Sequence, residues 1–167
     1  MSAAAPLRFV ARGNCQARAR PGVTADGGLG LSAGFADGPW DFQAGAAWNS
    51  ARDLTAVSGT ASMTTTALFL GTVWSGPGDV APLLAVSTGV EARSYSSGAV
   101  PLGVLWTPVA TLEAGVRLRI GHAVSLEAGA LGQADLGRTL LQVGDAEPVP
   151  LSAGEFGGII ALRVGRR

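Results

Sequence analysis

The feature that most restricts the fold of this chain is an alternation of apolar and polar residues in steps of two. The stretch LEAGVRLRIGHAVSLEAGAL, from Leu112 to Leu131, shows this alternation on both sides of Gly121 and His122. Successive side chains of a β-strand point to opposite faces of a sheet, so each half predicts one strand with an apolar and a polar face. Together the two halves predict a β-hairpin.

Segments with the same two-residue period follow one another along the whole chain. They cover residues 7–19, 28–36, 40–49, 60–74, 80–93, the two halves of the hairpin at 112–120 and 124–131, and 155–165. Short joins such as Asp37 to Pro39 alternate with longer ones such as Ser50 to Gly59. Short turns on one rim and long loops on the other are typical of an up-and-down meander.

Two parts of the pattern leave alternatives open. The segment 60–74 has apolar residues of both parities, so the sequence does not assign its two faces. The long join from Ser94 to Val109 contains a further alternating stretch, Val100 to Trp106, which either extends a hairpin or forms a ninth strand. Pro101 and Pro108 argue against a central position for it, because proline cannot donate to a sheet ladder.

Charged residues distinguish the two faces of the strands. All charged residues in or next to the seven segments of known parity lie on the face opposite the apolar residues. They are Arg8, Arg12, Arg18, Asp41, Glu91, Arg93, Glu113, Arg117, Arg119, Glu127, Asp135, Glu155 and Arg163. A soluble barrel with an apolar interior would give the same alternation, so a second feature must decide which face meets water.

The composition of the charged face favours an interior position. It is rich in glycine, as at Gly30 and Gly115, which weakens an exposed strand but leaves room for long side chains inside a narrow barrel. Its arginines and carboxylates nearly cancel, as an internal network requires, since buried charge is tolerated only when paired. The predicted lumenal ion-pair network consists of Arg8, Arg12, Arg18, Asp41, Glu91, Arg93, Glu113, Arg117, Arg119, Glu127 and Arg163.

The apolar face carries aromatic residues near its ends. Trp40 and Trp48 lie on one segment, roughly 27 Å apart along an extended strand, and Phe35 lies beside the same turn as Trp40. Membrane barrels have an outward apolar band of about 25 Å flanked by aromatic girdles. Phe35, Trp40 and Trp48 are therefore predicted to form a girdle, and an arginine at Leu118 on the same face is expected to block membrane assembly.

This chain resembles the small outer-membrane β-barrel proteins of the OmpA and OmpX type. The shared features are the strand length, an even number of strands, short turns on one rim and a polar lumen. The resemblance covers nearly the whole chain. It implies an all-β, antiparallel, up-and-down transmembrane barrel of eight strands that forms a single domain over residues 1–167. Strands upstream of Met1 would raise the count to ten.

Both ends of the chain depart from the family pattern. Members of the family usually end in an aromatic residue, whereas this chain ends with Gly165, Arg166 and Arg167. The segment from Met1 to Arg12 shows no signal peptide. These departures indicate a truncated or trimmed chain rather than a different fold.

The resemblance implies an integral protein of the bacterial outer membrane, in contact with membrane lipid and lipopolysaccharide. Such a narrow barrel would serve a structural role, or bind and adhere to protein partners through its long loops, chiefly 94–109 and 136–154. Zero net charge and the lack of a basic patch argue against nucleic acid. The alternative is a soluble, lipocalin-like or avidin-like barrel that binds a small apolar ligand inside.

Little in the sequence points to catalysis. His122 and the nearby Ser125 suggest a hydrolase pair, but a histidine in a turn on the rim is poorly placed to activate a nucleophile. One histidine and one cysteine, Cys15, cannot build a zinc or haem site, and Asp145 and Glu147 are an isolated acidic pair. We expect no enzyme activity, metal or cofactor; a lipid-modifying enzyme that depends on His122 is a third alternative.

Overall fold

The computed structural model describes residues 8–20, 23–52, 61–97, 100–137, 140–141, 149–150 and 154–165. The strands within these ranges are β1 Arg8–Arg20, β2 Val23–Asp37, β3 Trp40–Arg52, β4 Ala61–Ser75, β5 Val80–Ser97, β6 Val100–Arg119, β7 Val124–Asp135, β8 Leu140–Leu141, β9 Val149–Pro150 and β10 Gly154–Gly165. No helix in the described part of the chain is long and apolar enough to cross a membrane.

The strands β1 to β7 and β10 close into an antiparallel barrel, and β8 pairs with β9 in a small separate ribbon. Each strand from β1 to β7 pairs with its neighbour in sequence, and β10 pairs with both β7 and β1. The closing pair runs from Val10 opposite Gly165 to Ala19 opposite Phe156. The prediction of an eight-stranded up-and-down barrel is confirmed. Because β1 already pairs with β10, the described barrel leaves no gap for the two further strands of the ten-stranded alternative.

The connections give the barrel two different rims. Short turns join β2 to β3, β4 to β5 and β6 to β7 at one end, which we call the short-turn rim; β1 begins there and β10 ends there. Gly38 in the first turn has a φ of 58° and Gly78 in the second a φ of 102°. Both values lie in the left-handed region, which glycine enters without steric cost. The two longest connections, from β3 to β4 and from β7 to β10, lie at the other end, the long-loop rim, where two residues each separate β1 from β2 and β5 from β6. The long join predicted between the first two strands is therefore wrong, because β2 already begins at Val23.

Burial assigns the faces of β4, which the sequence left open. Met63, Thr65 and Val73 are buried inside the barrel, whereas Leu68 and Leu70 are exposed outside it. The residue between them, Phe69, has the inward parity and lines the lumen. An aromatic ring inside and leucines outside explain why β4 looks apolar on both faces.

The hairpin of β5 and β6 extends past the end of β7 at the long-loop rim, and β4 pairs with β5 along it as far as Ser97. Arg93 lies opposite Leu105 and Tyr95 opposite Gly103, so the predicted loop at 94–109 and the ninth strand are both wrong, and the stretch extends a hairpin instead. The ladder between β6 and β7 starts only at Val109. The carbonyl of Pro108 accepts a hydrogen bond from the backbone N–H of Leu136, on the β7 side of β6. The nitrogen and the carbonyl of one strand residue point to the same side. The proline nitrogen, which carries no proton, therefore faces away from β5.

Candidate functional site

The interior of the barrel is filled with charged and polar side chains. Arg93 is 0% exposed, and Glu91 and Glu127 are each 1% exposed. Burying an ion is costly unless an opposite charge and hydrogen bonds compensate it. These side chains are indeed paired, and they form two layers along the barrel axis.

The layer nearer the short-turn rim is built around Asp41 of β3. Arg163 of β10 donates two hydrogen bonds to it, from Nε to Oδ2 at 2.6 Å and from Nη2 to Oδ1 at 2.9 Å. Arg117 of β6 donates to the same carboxylate at 3.3 Å and to the hydroxyl of Ser75 at 2.5 Å. One carboxylate therefore holds two guanidinium groups.

The same layer continues across the lumen through Glu127 of β7. Its Oε1 accepts from Arg117 Nε at 2.7 Å, and its Oε2 accepts from Arg12 Nε at 2.6 Å. Arg12 also donates from Nη2 to Glu113 at 2.5 Å. The ion pairs thus form one unbroken chain in which three arginines face three carboxylates.

The layer nearer the long-loop rim contains Arg93 and Arg18. The guanidinium of Arg93 contacts both oxygens of Asp135, at 2.7 and 2.6 Å, and donates twice to Glu91 Oε2, at 3.0 and 2.8 Å. Arg18 lies within 3.3 Å of Asp26, 3.1 Å of Glu91 and 3.0 Å of Glu155. Glu91 therefore links the two arginines of this layer.

A small cavity of about 80 Å³, lined by both polar and apolar side chains, separates the two layers. Asn14, Gln16 and Asn49 line it together with Phe69, and Gln16 donates to Asn49 Oδ1 at 2.8 Å. Asn14 Oδ1 and Asn49 Nδ2 have no hydrogen-bond partner among the described residues. A volume of this size can hold two or three water molecules, since each takes up about 30 Å³ in the liquid.

Most of the predicted network residues meet in these layers, but two do not. The residues brought together are Arg12, Arg18, Asp41, Glu91, Arg93, Glu113, Arg117, Glu127 and Arg163. Arg8 is exposed at the start of β1. Arg119 contacts Asp79 at 3.5 Å, and the two side chains are 38% and 82% exposed. Placing Arg8 and Arg119 in the lumen was wrong, because alternation gives the face of a residue but not its depth in the barrel.

The predicted network lacked five members. Asp135 and Glu155 lie on the predicted charged face but outside the predicted network, although they pair with Arg93 and Arg18. Asp26, Gln133 and Ser75 were not identified at all. Asp26 lies on β2 just before the predicted start of that strand, and Gln133 lies on β7 just beyond its predicted end. Ser75 is the last residue of β4. Asp26 and Gln133 both have the inward parity, so continuing the alternation by one step at each strand end would have found them.

The outer surface of the barrel is apolar. Leu31 is 73% exposed and Leu70 is 65% exposed, and every strand of the barrel contributes large apolar side chains to this surface. Such continuous exposure is rare on soluble monomers, where an apolar patch seldom exceeds a few hundred Å². Large apolar side chains, which a soluble protein would bury, lie outside this barrel, and charged side chains, which it would expose, lie inside.

Aromatic residues lie near both ends of the outer surface. At the short-turn rim the predicted Phe35 and Trp40 are exposed; Phe9 packs edge-on against Phe35 with centroids 6.5 Å apart, and Trp74 is the register partner of Trp40. Sequence reasoning did not identify Phe9 or Trp74 as part of this belt.

Toward the long-loop rim the predicted Trp48 is exposed, as are Trp106 and Phe156. Trp48 of β3 is the register partner of Thr66 on β4. Thr66 is the partner of Ala92 on β5, and Ala92 is the partner of Trp106 on β6. Register therefore places both tryptophans in one row. Trp106 was missed as a belt residue because the sequence placed it in a loop.

His122 and Ser125, the pair considered for catalysis, both lie at the short-turn end of the barrel. His122 is exposed in the turn between β6 and β7, and among the described residues no hydrogen bond joins it to Ser125. The described residues also contain no group of three or more His, Cys, Asp or Glu placed to hold a metal ion. Cys15 is exposed on the outer surface, while Asp145 and Glu147 lie outside the described residues.

This chain resembles known proteins in structure rather than in sequence. No family model and no curated protein sequence matches the chain. Among solved structures, Neisserial surface protein A matches with a TM-score of 0.67 at 13% sequence identity, over 98% of this chain and 99% of that one. The fold is that of the small outer-membrane β-barrels.

Two further outer-membrane barrels support the same assignment. The attachment invasion locus protein Ail of Yersinia pestis has a TM-score of 0.54 at 12% identity, over 96% of this chain and 98% of that one. A major outer membrane protein of Thermus thermophilus has a TM-score of 0.56 at 10% identity, over 96% and 100% of the two chains. The resemblance inferred from the alternation pattern is confirmed as a likeness of fold.

Proposed function

We propose that this chain is an integral protein of the bacterial outer membrane, with a lumen closed by ion pairs and a structural or adhesive role exerted at its long-loop side. The observation that supports this most is the inverted burial: charged side chains lie inside and large apolar side chains lie outside. In water each exposed large apolar side chain forgoes about 1.5 to 3 kcal/mol relative to burial. A bilayer provides the apolar surroundings that this surface requires.

A soluble barrel that binds an apolar ligand fits the geometry poorly. It needs an interior lined mainly by apolar side chains with a few polar groups. Here the two charged layers occupy the lumen, and the cavity between them is only about 80 Å³, far below the roughly 300 to 1,000 Å³ of typical ligand pockets. The leucine and tryptophan side chains that would line such a pocket are on the outside instead.

The extended hairpin of β5 and β6 is the described element best placed to meet a partner. It contains no charged residue between Ser94 and Val109, and beyond the aromatic row that includes Trp106 it exposes Val104 by 59%. Ail of Yersinia pestis has been crystallised with the heparin analogue sucrose octasulfate. An uncharged hairpin does not suit a polyanion, so we propose that this chain binds an apolar protein surface there.

Membrane insertion is tested by refolding the chain with and without detergent. We expect a β-rich species by far-UV circular dichroism only in detergent, and it should migrate differently on an SDS gel until it is boiled. A soluble, monomeric β-rich species without detergent would overturn the proposed membrane location.

The role of the hairpin is tested on cells that express the full chain. Replacing Val104 by serine should reduce adhesion to protein-coated surfaces while heat-modifiable migration is retained. Val80→Ser, an exposed valine at the opposite rim, is the matched control. Equal adhesion of both variants, or adhesion that soluble heparin abolishes, would contradict the proposed apolar contact.

A further inference from the structure

A second cavity, of about 160 Å³, opens at the short-turn mouth of the barrel, at the end opposite the long loops. Arg117, Arg119 and Arg163 line it, together with His122 of the β6–β7 turn and Ser125 of β7. The adhesive role proposed above does not involve this end of the molecule. The cavity therefore calls for an explanation of its own.

Several hydrogen-bond donors at this mouth are not used by the protein. Arg163 donates from Nε and Nη2 to Asp41, which leaves its Nη1 without a partner among the described residues. Arg119 has only the 3.5 Å contact of its Nη1 with Asp79, and an ion pair so exposed is weak. The hydroxyl of Ser125 likewise makes no hydrogen bond within the described part of the chain.

The charges around the mouth favour an anion. Among the described residues Arg163 pairs with Asp41 alone, and Arg117 pairs with the same Asp41 and with Glu127, which it shares with Arg12. Arg119 adds a third guanidinium whose only carboxylate contact there is the exposed Asp79. The planar guanidinium fork matches the oxygens of phosphate and carboxylate groups, and a hydroxyl can supply a further donor. No carboxylate is among the residues that line the cavity.

We propose that the short-turn mouth is a binding site for a small oxyanion, a phosphate or carboxylate group. Arg119 and Arg163 Nη1 contact its oxygens, Ser125 donates a third hydrogen bond, and His122 closes the side of the site formed by the turn. The group comes either from a water-borne ligand or from a phospholipid headgroup at the same rim.

The test uses the full chain refolded in a non-ionic detergent and titrated with inorganic phosphate at constant ionic strength. Saturable changes in the NMR signals of the Arg119 and Arg163 Nε–H groups and of the His122 ring are expected. Arg119→Gln should weaken phosphate binding about tenfold, because a hydrogen bond to a charged group is lost, and Ser125→Ala should weaken it by a smaller factor.

The matched control is Arg8→Gln, which removes an exposed arginine from the same rim but not from the cavity. It should leave phosphate affinity unchanged, and circular dichroism checks that each variant is folded. Signals that do not saturate, or an equal loss of affinity in Arg8→Gln and Arg119→Gln, would overturn the proposal.

The source of the oxyanion is identified by repeating the titration in lipid nanodiscs. If phosphatidylglycerol lowers the apparent affinity for phosphate relative to phosphatidylcholine, the headgroup occupies the site and competes. If the two lipids give the same affinity, the site is filled from the aqueous side. Both results support an oxyanion site, provided that Arg119→Gln weakens phosphate binding in each lipid.

Discussion

Arg163 and Asp41 connect β10 to β3 across the lumen through two hydrogen bonds, at 2.6 and 2.9 Å. Strands β1 and β2 lie between them in the barrel order, so no backbone ladder joins the two strands directly. Both side chains are almost fully buried. The pair therefore ties together two parts of the barrel wall that the sheet itself does not pair.

Removing one member of this pair should destabilise the barrel strongly. Arg163→Ala leaves Asp41 buried with only the 3.3 Å contact to Arg117, and breaking a buried pair typically costs about 3 to 5 kcal/mol. Urea unfolding in detergent micelles measures the loss. Arg8→Ala, at an exposed arginine, should change stability by no more than about 0.5 kcal/mol.

The pair can also be replaced as a unit. The double variant Asp41→Leu, Arg163→Met removes both charges, and a buried ion pair exchanged for apolar residues of similar volume is often neutral or stabilising. We expect it to regain much of the stability lost in Arg163→Ala. If Arg163→Ala unfolds at the same urea concentration as Arg8→Ala, the lumenal pair does not stabilise the barrel.

A charge on the outer surface should prevent insertion only where it lies deep in the bilayer. Leu70 of β4 lies opposite Ala44, midway between Trp40 and Trp48 on β3, so Leu70→Arg should cost about 2 to 4 kcal/mol. Leu118, which the sequence suggested for this test, lies next to the end of β6 at the short-turn rim. Leu118→Arg should cost only about 0 to 1 kcal/mol there.

The comparison of the two arginine variants is made by the fraction that folds into vesicles, read from heat-modifiable migration. We expect Leu70→Arg to remain largely unfolded and Leu118→Arg to fold nearly as well as the parent chain. Equal folding of both variants would argue against a bilayer centred on the row of Leu70.

The case of Leu118 illustrates what the sequence could and could not predict. Alternation with a period of two gave the face of Leu118, Arg12 and Glu127, because parity along a strand is a local property. It did not give their depth, because depth depends on where the strand begins and on the stagger of its neighbours. Arg119 was therefore placed in the lumen although it lies at the rim.

β4 shows a second limit of the pattern. A barrel interior accepts an apolar side chain where a neighbouring residue is small. The ring of Phe69 lies beside Gly45, and a Cβ added to this glycine would come within 2.6 Å of the ring. The alternation then disappears although the strand is regular. The partners of each arginine were likewise beyond the sequence, since Arg12 and Glu113 meet across the lumen from β1 and β6.

Glycines on the inner face should be intolerant of even one added methyl group. A Cβ at Gly115 would clash with the carbonyl oxygen of Ala128 and lie 2.6 Å from Gly129 Cα, so Gly115→Ala must shift the backbone of β6 or β7. We expect a loss of about 1 to 3 kcal/mol, as for other overpacked sites. At Gly132, on the outer face of β7, a Cβ would meet nothing within 4 Å.

Gly132→Ala is therefore the control for Gly115→Ala. It should be neutral or stabilise the barrel by roughly 0.5 to 1 kcal/mol, because glycine inside a strand carries an entropic cost. Urea unfolding of the two variants in the same detergent gives the comparison. A Gly115→Ala variant as stable as Gly132→Ala would mean that the lumen has more room than the structure indicates.

The two aromatic rows should lie at the two interfaces of the bilayer. In variants that keep only Trp40 or only Trp48, with the other tryptophans replaced by phenylalanine, the indole ring should sit at headgroup level, as in the girdles of membrane barrels. Lipids brominated near the headgroup should then quench its fluorescence better than lipids brominated near the chain end. Leu70→Trp in a tryptophan-free chain should show the reverse order, because that row lies between the girdles. If Trp40 and Trp48 are quenched most by deep bromines, the apolar band is displaced along the barrel and the depth assigned to Leu70 is wrong.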